Sequence, residues 1–590
     1  MQQQQGEQQG QQQTHIVSNF GEDRGGGGFG GGGIGGGGGG RGNQHLYFSD
    51  SYGVVDSPAR FAMPGFDTKL RLLGSDGIHQ RSQTNYRSWL IEESAATEQF
   101  GKNTEQYKPI HENKFVAALG GKAISTFSID VDTASYANMR RFINSNQMPP
   151  RNSIRIEELV NYFNYDYPQP TGADPFSVNM ELATCPWNSE HKLLRVGIKG
   201  KEVDTKERPA SNLVFLIDVS GSMNNAAKLP LLKQGFQMLV RELTENDTVS
   251  IVTYAGNAGV VLEPTNGTEQ QKINTAIERL TPGGSTHGSA GIELAYQLAQ
   301  QHLIKDGVNK VVLATDGDLN VGITDDNALV KLIKEKAAEG VFLTVLGFGT
   351  GNLKDGKMEQ LADNGNGMYA YIDSTREARK VLVQEMSGSL VTIAKDVKLQ
   401  LEFNPAEVLA YRLIGYENRM LATKDFADDT KDAGEIGAGH TVTALYELVT
   451  TDKSKTGLLD TSGGSLKYQT TTETEKPSKA INSGVKLSDA AGSGELLTLA
   501  LRYKKPDENK SKRIEFTVKN DEKSFASATE DFRFAASVAS FGMQLRGSQY
   551  AGNVNFGFVQ EIASGAIGDD KSGYRAEFLD LVRKVVNNCK

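Results

Sequence analysis

The chain has 590 residues, of which 38% are apolar and 23% charged, which suits a globular protein of roughly three or four domains. Its net charge of −9 excludes general nucleic-acid binding, because neutralising phosphates needs a basic face. Two cysteines, Cys185 and Cys589, are too few for a disulfide framework, and no run of about 18 apolar residues is present to form a transmembrane helix.

Residues 1–13 hold nine glutamines and residues 21–42 hold sixteen glycines. Such low-complexity segments bury too little apolar surface to offset chain entropy. Residues 1–110 are therefore predicted to be a disordered Gln/Gly-rich leader, a passive tether. Met1-Gln-Gln-Gln-Gln has neither the basic nor the apolar region of a signal peptide. Order is expected from Phe115. A strand is predicted over 125–132, helices over 134–145 and 154–163, and two strands over 176–182 and 193–198, which together make a segment 115–205.

From 211 to 392 the pattern changes. Short apolar strands at 213–217, 248–254, 310–314, 341–348 and 368–372 alternate with helical stretches near 226–244, 268–280, 288–304, 325–339 and 375–391. This alternation predicts an α/β fold with a doubly wound, mainly parallel sheet. Strands return at 397–403, 408–414, 440–448, 495–502 and 511–518, around an exposed loop at 450–485. A helical tail closes the segment 394–590. Neither set of flanking strands is enough for a protected sheet, so both are expected to share one β-rich unit with 211–392 inserted.

The strand at 213–217 runs into Asp218-Val-Ser220-Gly-Ser222. One carboxylate and two hydroxyls in five residues suit a hard cation, Mg²⁺ or Mn²⁺. A serine here could equally cap the next helix. In an open parallel sheet, ligands sit beyond the carboxyl ends of the strands. Asp316 ends another strand, and the Gly-rich loop 280–288 carries Thr286. Three loops thus bring Asp218, Ser220, Ser222, Thr286 and Asp316 to one edge. Hydroxyls are weak ligands, so a cation held there keeps its attraction for one more carboxylate, supplied by a partner.

These residues, with the Thr315-Asp316-Gly317 turn, resemble the metal-ion-dependent adhesion site of von Willebrand factor type A domains. The resemblance implies that Ser220, Ser222 and Thr286 touch Mg²⁺ directly and that Asp218 and Asp316 act largely through water. It extends further. Residues 125–136 and 155–165 are similar to the amino-terminal companion segment of the bacterial YfbK-like family, and 411–419 and 432–443 to its carboxyl-terminal companion. Family members are often exported or lipid-anchored, which implies the cell envelope, although this sequence shows no lipobox.

Other motifs carry less. Asp130-x-Asp132 fails the EF-hand pattern, since Ser135 and Arg141 stand where Gly and Glu are needed. Gly347-x-Gly349 lacks the third glycine of a dinucleotide site. Cys185 has no local His or second Cys and is expected to be a buried thiol. The expected function is a metal-ion-dependent protein-binding module, not an enzyme, whose protein partner offers an acidic side chain. A metal-dependent hydrolase would need a general base, for which only Asp318 and His287 are at hand. In a third reading the metal only stiffens the sheet edge.

Overall fold

Residues 104–588 are described in the computed structural model, except 130, 204–207, 256–258, 284–290, 318–324, 387–390, 432, 452–466, 471–485, 507, 509 and 521–522. In chain order the strands are β1 (Val116–Ala117), β2 (Ile124–Ser128), β3 (Phe176–Thr184), β4 (Lys192–Gly200), β5 (Ser211–Asp218), β6 (Thr248–Tyr254), β7 (Gly259–Asn266), β8 (Val308–Thr315), β9 (Phe342–Phe348), β10 (Tyr369–Ile372), β11 (Thr392–Phe403), β12 (Val408–Ile414), β13 (Ile436–Gly437), β14 (Thr441–Thr450), β15 (Gln469–Thr470), β16 (Lys486–Leu487), β17 (Glu495–Lys504) and β18 (Lys512–Lys519). The helices are α1 (Ala134–Asn144), α2 (Ile156–Asn161), α3 (Leu229–Val240), α4 (Gln270–Arg279), α5 (Gly291–Gln301), α6 (Asp326–Ala338), α7 (Asp355–Asn364), α8 (Thr375–Arg379), α9 (Glu530–Arg546), α10 (Phe556–Ser564) and α11 (Tyr574–Asn588). Among the described residues no helix is long and apolar enough to cross a membrane.

The expected doubly wound sheet is present. Its order is β10-β9-β8-β5-β6-β7, parallel throughout except for β7, which runs antiparallel to β6. Helices cover both faces, which is why β5 is apolar on both sides and fully buried. Leu213, Phe215 and Ile217 pack with α3, α4 and α8. Val214 and Leu216 pack with α5, α6 and α7. Two elements here escape the apolar pattern. β7 interrupts its alternation with Glu263 and Pro264, and α7 turns only Met358, Leu361 and Ala362 to the core. The helix expected at 375–391 is present through Met386, with α8 continuing as wider π-type turns over Lys380–Glu385, and 387–390 lie outside the described residues.

The flanks interleave as expected of an inserted sheet. One antiparallel sheet has the order β1-β12-β14-β4-β3, and the other has β13-β11-β17-β18 with β2 also on β11. β4 precedes the inserted unit and β14 follows it, yet they pair from Thr441↔Lys199 to Leu448↔Lys192. Val196, Ile198, Leu413 and Tyr446 of the first sheet meet Phe127, Leu399, Leu401 and Leu499 of the second in a shared core. Leu193, Ile414 and Leu445 are buried with α1, α2 and the helical tail. Among the described residues that tail holds α9, α10 and α11. α10 is held by Asn555, whose side chain accepts from the Phe558 amide at 2.9 Å.

Ordered backbone begins before Phe115, so the leader is shorter than the expected 1–110. The amides of Thr104 and Gln106 donate to the carbonyls of Gly351 and Leu353 at 2.7 and 2.9 Å. The Glu105 carboxylate, 4% exposed, pairs with Arg141 at 3.0 Å and accepts from the Gly351 amide. Polar residues 104–110 have no apolar period to betray this; their order comes from distant partners. Residues 1–103 lie outside the described ones. Glu105→Ala is expected to cost about 2–4 kcal/mol, since it strands a largely buried arginine. The check is the urea midpoint; a loss under about 0.5 kcal/mol would return 104–110 to the leader.

Candidate metal centre

β5 lies between β6 and β8, and the chain winds away from it in both directions. This is the switch point of the sheet, where the crevice opens beyond the carboxyl ends of the strands. Asp218 ends β5 there and is fully buried. The loop after it folds back on the carboxylate. The Ser220 amide donates to Asp218 Oδ1 at 2.8 Å, a turn that short polar side chains favour. A single 3-10 turn, Gly221–Met223, follows and is anchored by the buried Met223. The Ser220 and Ser222 hydroxyls then stand 2.8 Å apart. Ser220 is nearly buried and Ser222 is exposed, so the pair lines the way from solvent to Asp218. Neither serine caps a helix: Ser220 makes no capping bond, and the residue at the cap position of α3 is Lys228.

Two further loops converge. The hydroxyls of Tyr254, at the end of β6, and Thr315, at the end of β8, both donate to Asp218 Oδ2 at 3.3 Å. The Gly317 amide donates to Thr315 Oγ1 at 3.1 Å, which shapes the turn that carries Asp316. The Gly283 amide donates to the Val219 carbonyl at 2.9 Å and brings the start of the Gly-rich loop to the same edge. Asp218, Ser220, Ser222 and Asp316 are thus gathered at one sheet edge. Thr286, His287 and Asp318 lie outside the described residues.

Their partners separate the two carboxylates. Burial pushes the Asp218 carboxyl up to about 6; nearby Asp316 adds to this, while the Ser220 and Tyr254 hydrogen bonds oppose it. Among the described residues, Asp218 meets an amide and hydroxyls but no cation. A carboxylate and two hydroxyls at a buried, uncompensated charge fit a hard divalent ion. Asp316, also fully buried, differs: its Oδ1 accepts from Asn352 Nδ2 and its Oδ2 from Lys228 Nζ, both at 2.8 Å.

Sequence reasoning missed Lys228, Asn352 and Tyr254. Only one signal pointed toward them, the Gly347-x-Gly349 pair, which belongs to the loop carrying Asn352 and not to a dinucleotide site. A second acidic group, Asp132, Glu158 and Glu359, has carboxylate oxygens close together. Arg155 and Arg419 reach into it, at 3.2 Å from Glu158 and 3.0 Å from Asp132. It joins the inserted unit to its flanks as an ion-pair network. Cys185 is a buried free thiol, as expected, and burial raises its pKa.

Family models match three stretches of the chain. One described as von Willebrand factor matches residues 101–195, one described as von Willebrand factor type A domain matches 213–318, and one described as Uncharacterized protein YfbK, C-terminal, matches 388–587. The chain is 42% identical over 494 residues to Uncharacterized protein YfbK of Escherichia coli (strain K12), covering 82% of each protein. It is 30% identical over 225 residues to Uncharacterized protein sll0103 of Synechocystis, covering 38% of this chain and 52% of that one. A solved structure, von Willebrand factor type A from Catenulispora acidiphila, aligns with 70% of this chain and 91% of its own, at 15% identity and a TM-score of 0.38.

Proposed function

The chain belongs to the YfbK family of proteins with a von Willebrand factor type A domain, and from this membership we propose that it is a protein-binding module whose Mg²⁺ or Mn²⁺ captures an acidic side chain of a protein partner. The proposed ligands are Asp218, Ser220, Ser222, Thr286 and Asp316. The observation that carries the reading is the Asp218–Ser220–Ser222 cluster: a buried carboxylate with two hydroxyls leading from it to solvent at the switch point of the sheet. A bound ion would supply a Lewis-acidic position for one more oxygen. Hydroxyl ligands neutralise little of its charge, so an anionic oxygen is the preferred addition.

We propose binding without turnover as its role. Hydrolysis at a metal needs a base poised to take a proton from water. Among the described residues at this edge, Asp218 accepts from Ser220, Tyr254 and Thr315, and Asp316 accepts from Lys228 and Asn352. Both carboxylates are engaged in holding the loops.

The test is Mn²⁺ binding, read from the electron paramagnetic resonance of the free ion. The wild-type chain is expected to bind Mn²⁺ and Asp218→Ala to lose that binding while keeping the circular dichroism of the folded chain. Asp218 ends its strand, so its loss removes a ligand and relieves a buried charge without emptying the core. Failure of the wild type to bind Mn²⁺, or unchanged binding by Asp218→Ala, would sink the reading.

A further inference from the structure

We infer that Lys228 is a resident cation of this site, and that its charge couples divalent-ion binding to capture of a carboxylate. The inference rests on the proposed metal site and adds to it a residue that decides what the loaded site prefers to bind.

The contact between Lys228 and Asp316 is built in. Lys228 Nζ lies 2.8 Å from Asp316 Oδ2, between a lysine 7% exposed and a carboxylate wholly buried. The lysine stands just before α3 and its stem crosses to the end of β8 beneath Gly349. A Cβ at 349 would fall 2.2–2.8 Å from three carbons of that stem. Gly349 also has φ +72°, where a side chain is strained. The Tyr371 hydroxyl donates to the Gly349 carbonyl at 2.6 Å and holds the loop over the lysine. Asn352, from the same loop, takes the other oxygen of Asp316. Backbone, glycine and amide together hold one ammonium against one of the proposed ligands.

Charge counting gives the consequence. Among the described residues, Asp218 and Asp316 contribute −2 and Lys228 contributes +1, a sum of −1. Whatever else stands at this edge, the ammonium adds one positive charge beside Asp316, which opposes an incoming divalent ion and favours an incoming carboxylate. Uncompensated charge is costly where burial weakens solvation. Lys228 therefore weakens binding of the bare ion and strengthens binding of ion and acid together.

The experiment uses the full chain, Mn²⁺ as the probe ion and acetate as the simplest carboxylate, with chloride as the ionic-strength control. Lys228→Gln is expected to bind Mn²⁺ about tenfold or more tightly than wild type without acetate, the scale on which one neighbouring charge acts. Acetate is expected to tighten Mn²⁺ binding by the wild type more than by the variant. Lys228→Arg, which keeps the charge, is expected to keep the acetate effect. Equal Mn²⁺ affinities and equal acetate responses in wild type and Lys228→Gln would overturn the inference, while Asp218-dependent Mn²⁺ binding would leave the metal site standing. Absence of Mn²⁺ binding in both proteins would overturn the metal site itself, and the inference with it. If Lys228→Gln unfolds alone, its Mn²⁺-induced rise in melting temperature is compared with that of wild type: a larger rise supports the inference, and an equal or smaller one overturns it.

Discussion

Arg140→Met is expected to destabilise the protein by about 3–5 kcal/mol, the cost of breaking a buried ion-pair network by removing the cation that Asp373, Glu377 and Glu577 share. Arg140 sits on α1, outside the inserted sheet, with its side chain 2% exposed. Its guanidinium pairs with Asp373 and, at 2.7 Å, with Glu377, both from the end of the inserted unit. It also reaches Glu577 on α11 at 3.0 Å and donates to the Tyr162 hydroxyl at 2.9 Å. One side chain therefore ties three distant segments together. Burial raises the Glu377 carboxyl, and Arg140 is the first influence holding it down. Methionine would fill the space and leave Glu377 and Asp373 without that partner, whereas Glu577, partly exposed, can recover water. The check is the guanidinium midpoint of the variant. Glu377→Gln added to it is expected to restore part of the loss, because the stranded charge is then gone. A loss under about 1 kcal/mol, or no recovery in the double variant, would show that the network contributes little. The same variant is expected to speed hydrogen exchange over 375–385, since the last helical turns of the inserted unit lose their anchor.

Stability is also expected to fall as pH rises from about 5 to about 9, and Glu157→Gln to flatten that slope. Glu157 is buried in the first turn of α2 and faces Gly415, whose φ is +77°. A Cβ at 415 would lie 2.6 Å from Glu157 Oε2, so the carboxyl fits closely against backbone. Burial pushes Glu157 up to about 8 from an ordinary 4.5, with Glu417 and Glu158 adding to it. Burial also raises Glu158, to about 7, against the pull of Arg155. Both groups have folded values above their unfolded ones. Between the two values the native state holds more protons than the unfolded chain, so their contribution is full below about pH 4.5 and is lost as pH rises through 7 to 8. A neutral glutamine carries no such penalty. At about pH 9, Glu157→Gln is expected to exceed wild type by a few kcal/mol, at about 1.4 kcal/mol per pK unit. Urea midpoints across this range decide it; an unchanged slope in the variant would mean that Glu157 is ionised in the folded protein at neutral pH.

Periodicity and spacing alone determined much of this protein. Apolar runs such as Val214-Phe215-Leu216-Ile217 can be satisfied only by helices on both faces, so a doubly wound sheet follows from them. Asp218, Ser220 and Ser222 are neighbours in the chain, and Asp316 closes a strand that the same reasoning finds, so their meeting at one edge follows from the topology of such a sheet. Strands too few on either side of 211–392 likewise require each other, and β4 with β14 meets that need. Other features have no local signature. Lys228 meets Asp316 across 88 positions, and Arg140 meets Glu577 across 437. Glu105 stands in a polar stretch without period, yet is held 246 positions away by the Gly351 amide. The reason is physical. A strand or helix is chosen by interactions repeated every two or three to four residues, which the sequence displays directly. An ion pair is chosen by distance and burial, which exist only once the sheets have packed; until then lysine, arginine and glutamate look like any solvated surface charge. The tertiary structure thus decided which charges are buried, and with them the charge of the metal-site edge and the ties between the inserted unit and its flanks.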